Sequence, residues 1–327
     1  MKRRDVLGLL TGAATTLAAP TLGRAQGKYP DRPIRLVIPF APGGPTDIIG
    51  RMVAEKLSPL LGQQVVPDNK AGAAGSIASV EVAKAKPDGY TLLFATSSTH
   101  ATNPTSFVRP PYDAVKDFAP VAMVCVNPLV VVAHPSMPDT LAGLIDLMKK
   151  NPGKYSYGSS GTGGIAHLAG ELLKSEAGRL DVVHVPYRGS GPALQDLLAG
   201  NIAWMFETFS TTLQHHRAGK MRILGFAHAK RAVIAPDIPT IIEGGVPGYE
   251  AYTFNIIAPP AGTPQPVIDT LHAAYLKMMA DPTVVKALED IAAVPVTDST
   301  PAKAAQYITD EIAKWAPIIK ATGTRIE

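Results

Sequence analysis

The chain has 327 residues, 46% of them hydrophobic and 18% charged, with a formal net charge of +4. This apolar content excludes a disordered polymer, and the length favours two domains over one. A single cysteine, Cys125, excludes an internal disulfide, and its setting in the apolar run Val121–Val126 reads as a buried small hydrophobe.

The charge is unevenly placed. Lys2-Arg3-Arg4 precedes an apolar, Ala/Thr/Gly-rich stretch from Val6 to Ala19, and Gly23-Arg24-Ala25 offers small residues for cleavage before Gln26. Residues 1–25 therefore read as an export signal, too short in its apolar part to stay in a bilayer. Arg3-Arg4 followed by Asp5-Val6-Leu7 fits a twin-arginine signal, with the Sec route as the alternative. This segment holds four basic residues against Asp5, so the remaining chain carries a net of only +1. That excludes a basic surface for nucleic acid or membrane. The expected location is the periplasm.

From Lys28, short β-prone runs alternate with helical stretches, which predicts βαβ units and an α/β fold with mainly parallel sheets. Ile34–Ile38 is the first strand. Pro39-Phe40-Ala41-Pro42-Gly43-Gly44-Pro45-Thr46-Asp47 leads from it into a helix with Ile48, Ile49, Met52 and Val53 on one face, and Thr46 or Asp47 as N-cap. The glycines let backbone approach a ligand, and a helix N-terminus attracts anions. The stretch reads either as a cradle for a carboxylate or phosphate or as an ordinary βα turn. A second strand, Gln64-Val65-Val66, precedes a second Gly-rich turn at Asn69–Gly75 and a helix from Ser76 to Ala85. The third strand, Tyr90–Ala95, runs into Thr96-Ser97-Ser98-Thr99-His100, five consecutive hydrogen-bonding side chains.

The apolar run Val121–Val132 is too long for one ordinary strand and is broken by Asn127-Pro128, so it predicts two strands and allows a domain crossover. Leu141–Lys150 is an amphipathic helix capped by Asp139 or Thr140. Tyr155–Tyr157, the polar loop Ser159–Gly164 and the helix Ile165–Ala177 repeat the opening theme. Further strands fall at Asp181–Val185, Ile202–Phe206, Met221–Phe226 and Tyr252–Ile257. A helix begins near Gly189, and Ala302–Ala321 is the last helix. The loops leaving strand ends near Phe40, Asn69, Thr96, Ser159 and Glu207 are rich in Gly, Ser and Thr. In open α/β sheets ligands bind outside the carboxyl ends of strands. The pattern predicts two lobes and a cleft that closes on a small anion.

Enzyme signatures mostly fail. Gly161-Thr162-Gly163-Gly164-Ile165-Ala166 fits a loose dinucleotide pattern, but the next strand ends in Pro186-Tyr187-Arg188 without the required acid. Gly158-Ser159-Ser160-Gly161 has the wrong spacing for a nucleophile elbow. His215-His216 point apart on a helix, so no metal site is expected. His100 and His167, each after a polar loop, are pocket candidates.

These residues together resemble the Bug or TctC-type extracytoplasmic solute receptors of the tripartite tricarboxylate transporter class. The resemblance rests on Tyr29-Pro30-Asp31-Arg32-Pro33-Ile34-Arg35, Pro39–Gly44 with Thr46-Asp47, and Pro87-Asp88-Gly89-Tyr90-Thr91-Leu92-Leu93. It continues through Asp117-Phe118-Ala119-Pro120, His167-Leu168-Ala169-Gly170-Glu171, His184-Val185-Pro186-Tyr187 and Ala258–Pro264. It implies a two-lobed periplasmic binding protein, a type II-like Venus flytrap that grips a small carboxylate. Lobe 1 is expected from residues 26–126 plus 226–327, and lobe 2 from 127–225. The site residues it implies are Phe40, Gly43, Gly44, Thr46, Asp47, Ser97, Ser160, Gly161 and Thr162, with His167 and Glu207. It implies no cofactor, a monomer, and as partners the membrane subunits of a tripartite transporter or a sensor kinase. The alternative is an exported α/β enzyme acting on a carboxylate. Pro45, Glu207-Thr208 and Phe254-Asn255 depart from the family's pattern close to the expected ligand.

Overall fold

The computed structural model describes residues 29–232 and 234–327; the expected export segment lies outside them. The first unit is β1 (Ile34–Ile38), α1 (Pro45–Leu61), β2 (Val65–Asn69), α2 (Ser76–Ala83) and β3 (Thr91–Thr96). A π-helical turn, Ser98–Thr102, and α3 (Asn103–Ser106) follow. Next come β4 (Ala122–Ala133), α4 (Leu141–Lys150), β5 (Ser156–Ser159), α5 (Ile165–Glu176), β6 (Val183–Pro186), α6 (Ser190–Leu198), β7 (Trp204–Thr208), α7 (Phe209–Arg217) and β8 (Arg222–Phe226). The chain ends with β9 (Tyr252–Ala258), α8 (Gln265–Met279), α9 (Pro282–Asp290), β10 (Val294–Pro295) and α10 (Pro301–Thr322).

Among the described residues the strands join in the order β2-β1-β3-β9-β4-β7-β5-β6, with β8 and β10 also paired to β4. The outer strands are parallel, as the βαβ pattern predicts: β1 with β2 and β3, β5 with β6 and β7. The expectation of mainly parallel sheets fails in the middle, where β9 runs antiparallel to β3 and β4, and β4 antiparallel to β7, β8 and β10. The reason is connectivity: β4 carries the chain out of the first sheet region and β9 brings it back, so the two run in opposite directions.

Val121–Val132 also differs from expectation. It forms one strand, not two, and Pro128 sits where β4 changes partners, its Cα opposite Tyr252 of β9 while Leu129 already faces Thr208 of β7. A proline lacks the N–H a ladder needs, and the end of one ladder is where that loss is tolerated. Burial in two successive sheet regions, rather than a break, explains the length of the apolar run.

Helix α1 follows from spacing. Ile49, Val53, Leu57 and Leu61 are buried at i, i+4 intervals against Ile34, Leu36 and Ile38, whereas Ile48 is 44% exposed. Each fully buried aliphatic side chain contributes about 1.5–3 kcal/mol, which anchors the helix to the sheet. Gly62, with φ +70°, ends it. A single apolar cluster runs from Leu93 and Ala95 through Trp315 and Ile319 of α10 to Tyr157, Trp204 and Phe206. The C-terminal helix thereby ties the two sheet regions together on one side, leaving their strand ends to face each other. Cys125 is fully buried in β4, with burial pushing its thiol up to about 12.

Candidate ligand-binding site

Strand carboxyl ends from both sheet regions converge on one narrow cleft. One wall is Phe40, Gly44, Pro45 and Thr46, leaving β1, with Thr96 and Ser98 after β3. The other is Ser160, Ile165 and Ala166 after β5, Ser190 at the start of α6, and Phe206, Glu207 and Thr208 at the end of β7. Leu129 of β4 and Thr253 of β9 form the floor. Neither wall contributes a lysine, arginine or histidine to this lining.

The positive potential instead comes from backbone. Helices α1, α5, α6 and α7 all begin at the cleft, with Gly44, Gly164, Gly189 and Thr208 as N-caps, and none has a side-chain cap. Elsewhere α4, α9 and α10 are capped by Thr140, Asp281 and Thr300, while α2 and α8, which start after Gly75 and Pro264, also lack a side-chain cap. The first turns at the cleft present N–H groups and the positive end of the helix dipole, although the Ile165 N–H of α5 is already spent on Ser98 Oγ.

The cleft is closed. The Ile165 N–H donates to Ser98 Oγ across it at 3.1 Å, and Thr102 Oγ1 donates to the Gly163 carbonyl at 2.8 Å. Gly189 (φ +139°) and Gly161 (φ +138°) are required where the walls meet. A Cβ on Gly189 would stand 3.1 Å from the Ala41 nitrogen, and one on Gly161 3.3 Å from the Ala74 nitrogen. Ser98→Ala should leave the Ile165 N–H unsatisfied only in this closed form and weaken ligand affinity about tenfold. Small-angle scattering at a fixed subsaturating ligand concentration should then show a larger mean radius of gyration than the native protein; identical curves and affinities would exclude this bond as a latch.

Of the residues singled out from sequence, Phe40, Gly44, Thr46, Ser160 and Glu207 line the cleft. The others lie behind it. Asp47 is neither N-cap nor cleft wall: its Oδ2 accepts from the Gly43 N–H at 3.0 Å, and its Oδ1 accepts from Arg51 Nε and Asn69 Nδ2, both at 2.9 Å. Burial pushes its carboxyl up, but these bonds outweigh burial and hold it below the usual range. Gly43 is exposed and its N–H is spent on Asp47. Ser97 faces the other way, accepting from the Phe254 N–H at 3.2 Å, and its neighbour Ser98 takes the cleft position. Gly161 shapes the wall, and Thr162 is half-buried away from the lining.

His167 is a brace. Its Nδ1 accepts from the Gly163 N–H at 3.0 Å, and its ring stacks on His184 at 3.9 Å. His184 in turn reaches Ser159 Oγ at 2.6 Å, so the two rings support the Ser159–Gly164 loop from beneath. Burial lowers His167 to about 4 and His184 to about 3, with His167 adding to the latter effect. His100 is fully buried against Phe118, with burial lowering it to about 3. Sequence reasoning placed Pro45 near the ligand but missed Ser190 and the apolar members Leu129, Ile165 and Phe206. Ser190 had a signal, a Gly-Ser-Gly-Pro helix start like the other two.

The departures from the family pattern have distinct roles. Pro45 occupies the first position of α1, where a helix needs no N–H, yet it removes one donor from the cradle. Asn255 is buried on β9, its Oδ1 accepting from Asn127 Nδ2 at 3.0 Å, and it does not reach the lining. Glu207 does. It is 2% exposed, and its Oε1 accepts from the Thr208 N–H at 2.8 Å and from Thr208 Oγ1 at 3.2 Å. Burial pushes its carboxyl above the usual range, against the lowering effects of the neighbouring Ser190 hydroxyl and of Thr208.

A family model described as the tripartite tricarboxylate transporter family receptor matches residues 49–324. BugT of Bordetella pertussis is 36% identical over 324 residues, 98% of each chain. The periplasmic binding protein BugD superposes with a TM-score of 0.87 at 33% identity, over 91% of this chain and 100% of that one. A protein of R. palustris solved with adipate also gives 0.87, at 34% identity, over 91% of this chain and 99% of that one. The fold is thus the two-lobed fold of periplasmic binding proteins, and its relatives are solute-binding proteins. The chain belongs to the receptor family of the tripartite tricarboxylate transporters.

Proposed function

We propose that this receptor captures a small carboxylate between its lobes in the periplasm and hands it, unchanged, to the membrane subunits of a tripartite transporter. The observation that carries the reading is the convergence of four uncapped helix N-termini on a closed cleft whose lining has no basic side chain. Such a site attracts an anion of small size through backbone N–H groups. The carboxylate rests against Gly44, Thr46 and Ser160, while Asp47 and His167 hold the two loops in shape. Lobe 1 is assigned to residues 26–126 and 226–327 and lobe 2 to 127–225, hinged where β4 changes partners at Asn127-Pro128. Residues 1–25 are assigned as the export signal, and the working unit as a monomer.

The test compares each of a panel of organic acids with its primary amide by calorimetry. Charge-assisted hydrogen bonds are about twice as strong as neutral ones, so the amide should bind at least tenfold more weakly, on the order of 1.4 kcal/mol. Equal affinities would overturn the anion cradle, and consumption of the acid during incubation would overturn the receptor reading.

A further inference from the structure

The carboxylate reading accounts for one end of a ligand, and Glu207, whose role rests on that reading, faces the other. Glu207 is the only charged residue in the cleft lining, and its Oε2 is buried without a hydrogen-bond partner among the described residues. Its other oxygen is committed to Thr208, whose N–H belongs to the first turn region of α7. Burial works against the ionised carboxylate and no lysine or arginine of the lining compensates it, so a donor, above all a cationic one, has to come from the ligand. A buried acceptor left empty is costly, so the closed cleft is complete only when the ligand brings a donor to Oε2.

We propose that Glu207 sets specificity by accepting a hydrogen bond from an ammonium or hydroxyl group at the far end of the ligand, which makes the substrate class amino- or hydroxy-carboxylates in preference to simple dicarboxylates. A second carboxylate at that end, with no cation in the lining to stand between the two, could approach Glu207 only if one of them took up a proton in a desolvated site. Glu207→Gln is an informative change, because the fixed Thr208 N–H keeps the amide oxygen where Oε1 was. The amide NH2 then replaces Oε2, and the position changes from acceptor to donor.

The experiment measures the affinity of the native protein, Glu207→Gln and Glu207→Asp for matched probes of four to six carbons. The donor-tailed set is the ω-amino and ω-hydroxy acids, and the dicarboxylate set is succinate, glutarate and adipate. In the native protein a donor-tailed acid should bind roughly 10- to 100-fold tighter than the dicarboxylate of its length. Glu207→Gln should reverse the order, and Glu207→Asp, which keeps the charge, should preserve it at lower affinity. Since the ranking in the native protein is itself a test, a Gln variant that fails to fold does not shelter the idea. A native preference for dicarboxylates, or the same ranking in native and Gln forms, overturns the role of Glu207 and leaves the cradle standing. Binding of neither set, to any form, overturns the carboxylate reading and this inference with it.

Discussion

Between about pH 6.5 and pH 4 the folded protein should lose on the order of 3 kcal/mol of stability for each of His100 and His167. Both are buried, and both are held well below the ordinary histidine value of 6.5, to about 3 and about 4, because burial disfavours the imidazolium. A lowered folded-state value means the unfolded chain takes up protons first as pH falls. The stabilisation is therefore fully present above pH 6.5 and is lost progressively towards the folded-state values. His100 has only Thr99 Oγ1 on its Nδ1, its Nε2 is unpartnered, and aromatic rings of Phe118 and Tyr112 surround it, so a charge there finds no counter-ion. Glu171, with Oε1 4.0 Å from His167 Nε2, opposes the effect of burial on His167 but does not cancel it. Urea unfolding at a series of pH values gives the slope directly. His167→Asn, which keeps an acceptor near the Nδ1 position, should flatten that slope by about 1.4 kcal/mol per pH unit. A stability that stays level down to pH 4 would show that both rings are charged in the fold.

Much of this architecture was legible from sequence because strands and polar loops alternate strictly. Ile34–Ile38 and its following loop, and Tyr157–Ser159 with its following loop, declare the two halves of the cleft by the same signs: a β-prone run, glycines, then helical periodicity. What remained hidden has physical causes. Leu129 and Phe206 line the cleft yet belong to the buried apolar sheets, so their sequence signature is that of any core residue. Ser97 and Ser98 differ by one position, and the π-helical turn that starts at Ser98 decides which hydroxyl faces the ligand space. Asp47 and His167 carry the polar character of contacts but turn back four residues onto their own loops, Asp47 to Gly43 and His167 to Gly163. The same i, i+4 geometry that makes helical neighbours made these two braces rather than walls. Glu207 was readable as a strand-end carboxylate, but not its unpartnered oxygen, which depends on how β7 meets α7.

Replacing Asp47 by Ala should cost about 2–4 kcal/mol and weaken ligand binding by about tenfold. Its side chain is 6% exposed and accepts three hydrogen bonds, from the Gly43 N–H, Arg51 and Asn69. Truncation takes the acceptor from the Gly43 N–H and from the half-buried Asn69 amide, while Arg51, half exposed, regains water and limits the loss. Asn at this position is the sharper probe of mechanism. A carboxylate only accepts, whereas an amide must turn its NH2 either towards Gly43 or towards Arg51 and Asn69, so one set always loses its acceptor. Asp47→Asn should therefore fall between native and Ala, near 1–2 kcal/mol. The consequence for binding follows from Pro45: with no N–H there, the cradle's donors on α1 are those of Gly44 and Thr46, and their direction is set by the Gly43–Asp47 bond. The folded-state carboxyl lies below its usual value of 3.8, so its contribution is present above that pH and disappears only as pH falls further. Thermal or urea unfolding and ligand titration of both variants at neutral pH supply the comparison. An Ala variant that is destabilised but binds with native affinity would mean that the loop is oriented by Phe40 and Asn69 alone, and that Asp47 serves only the fold.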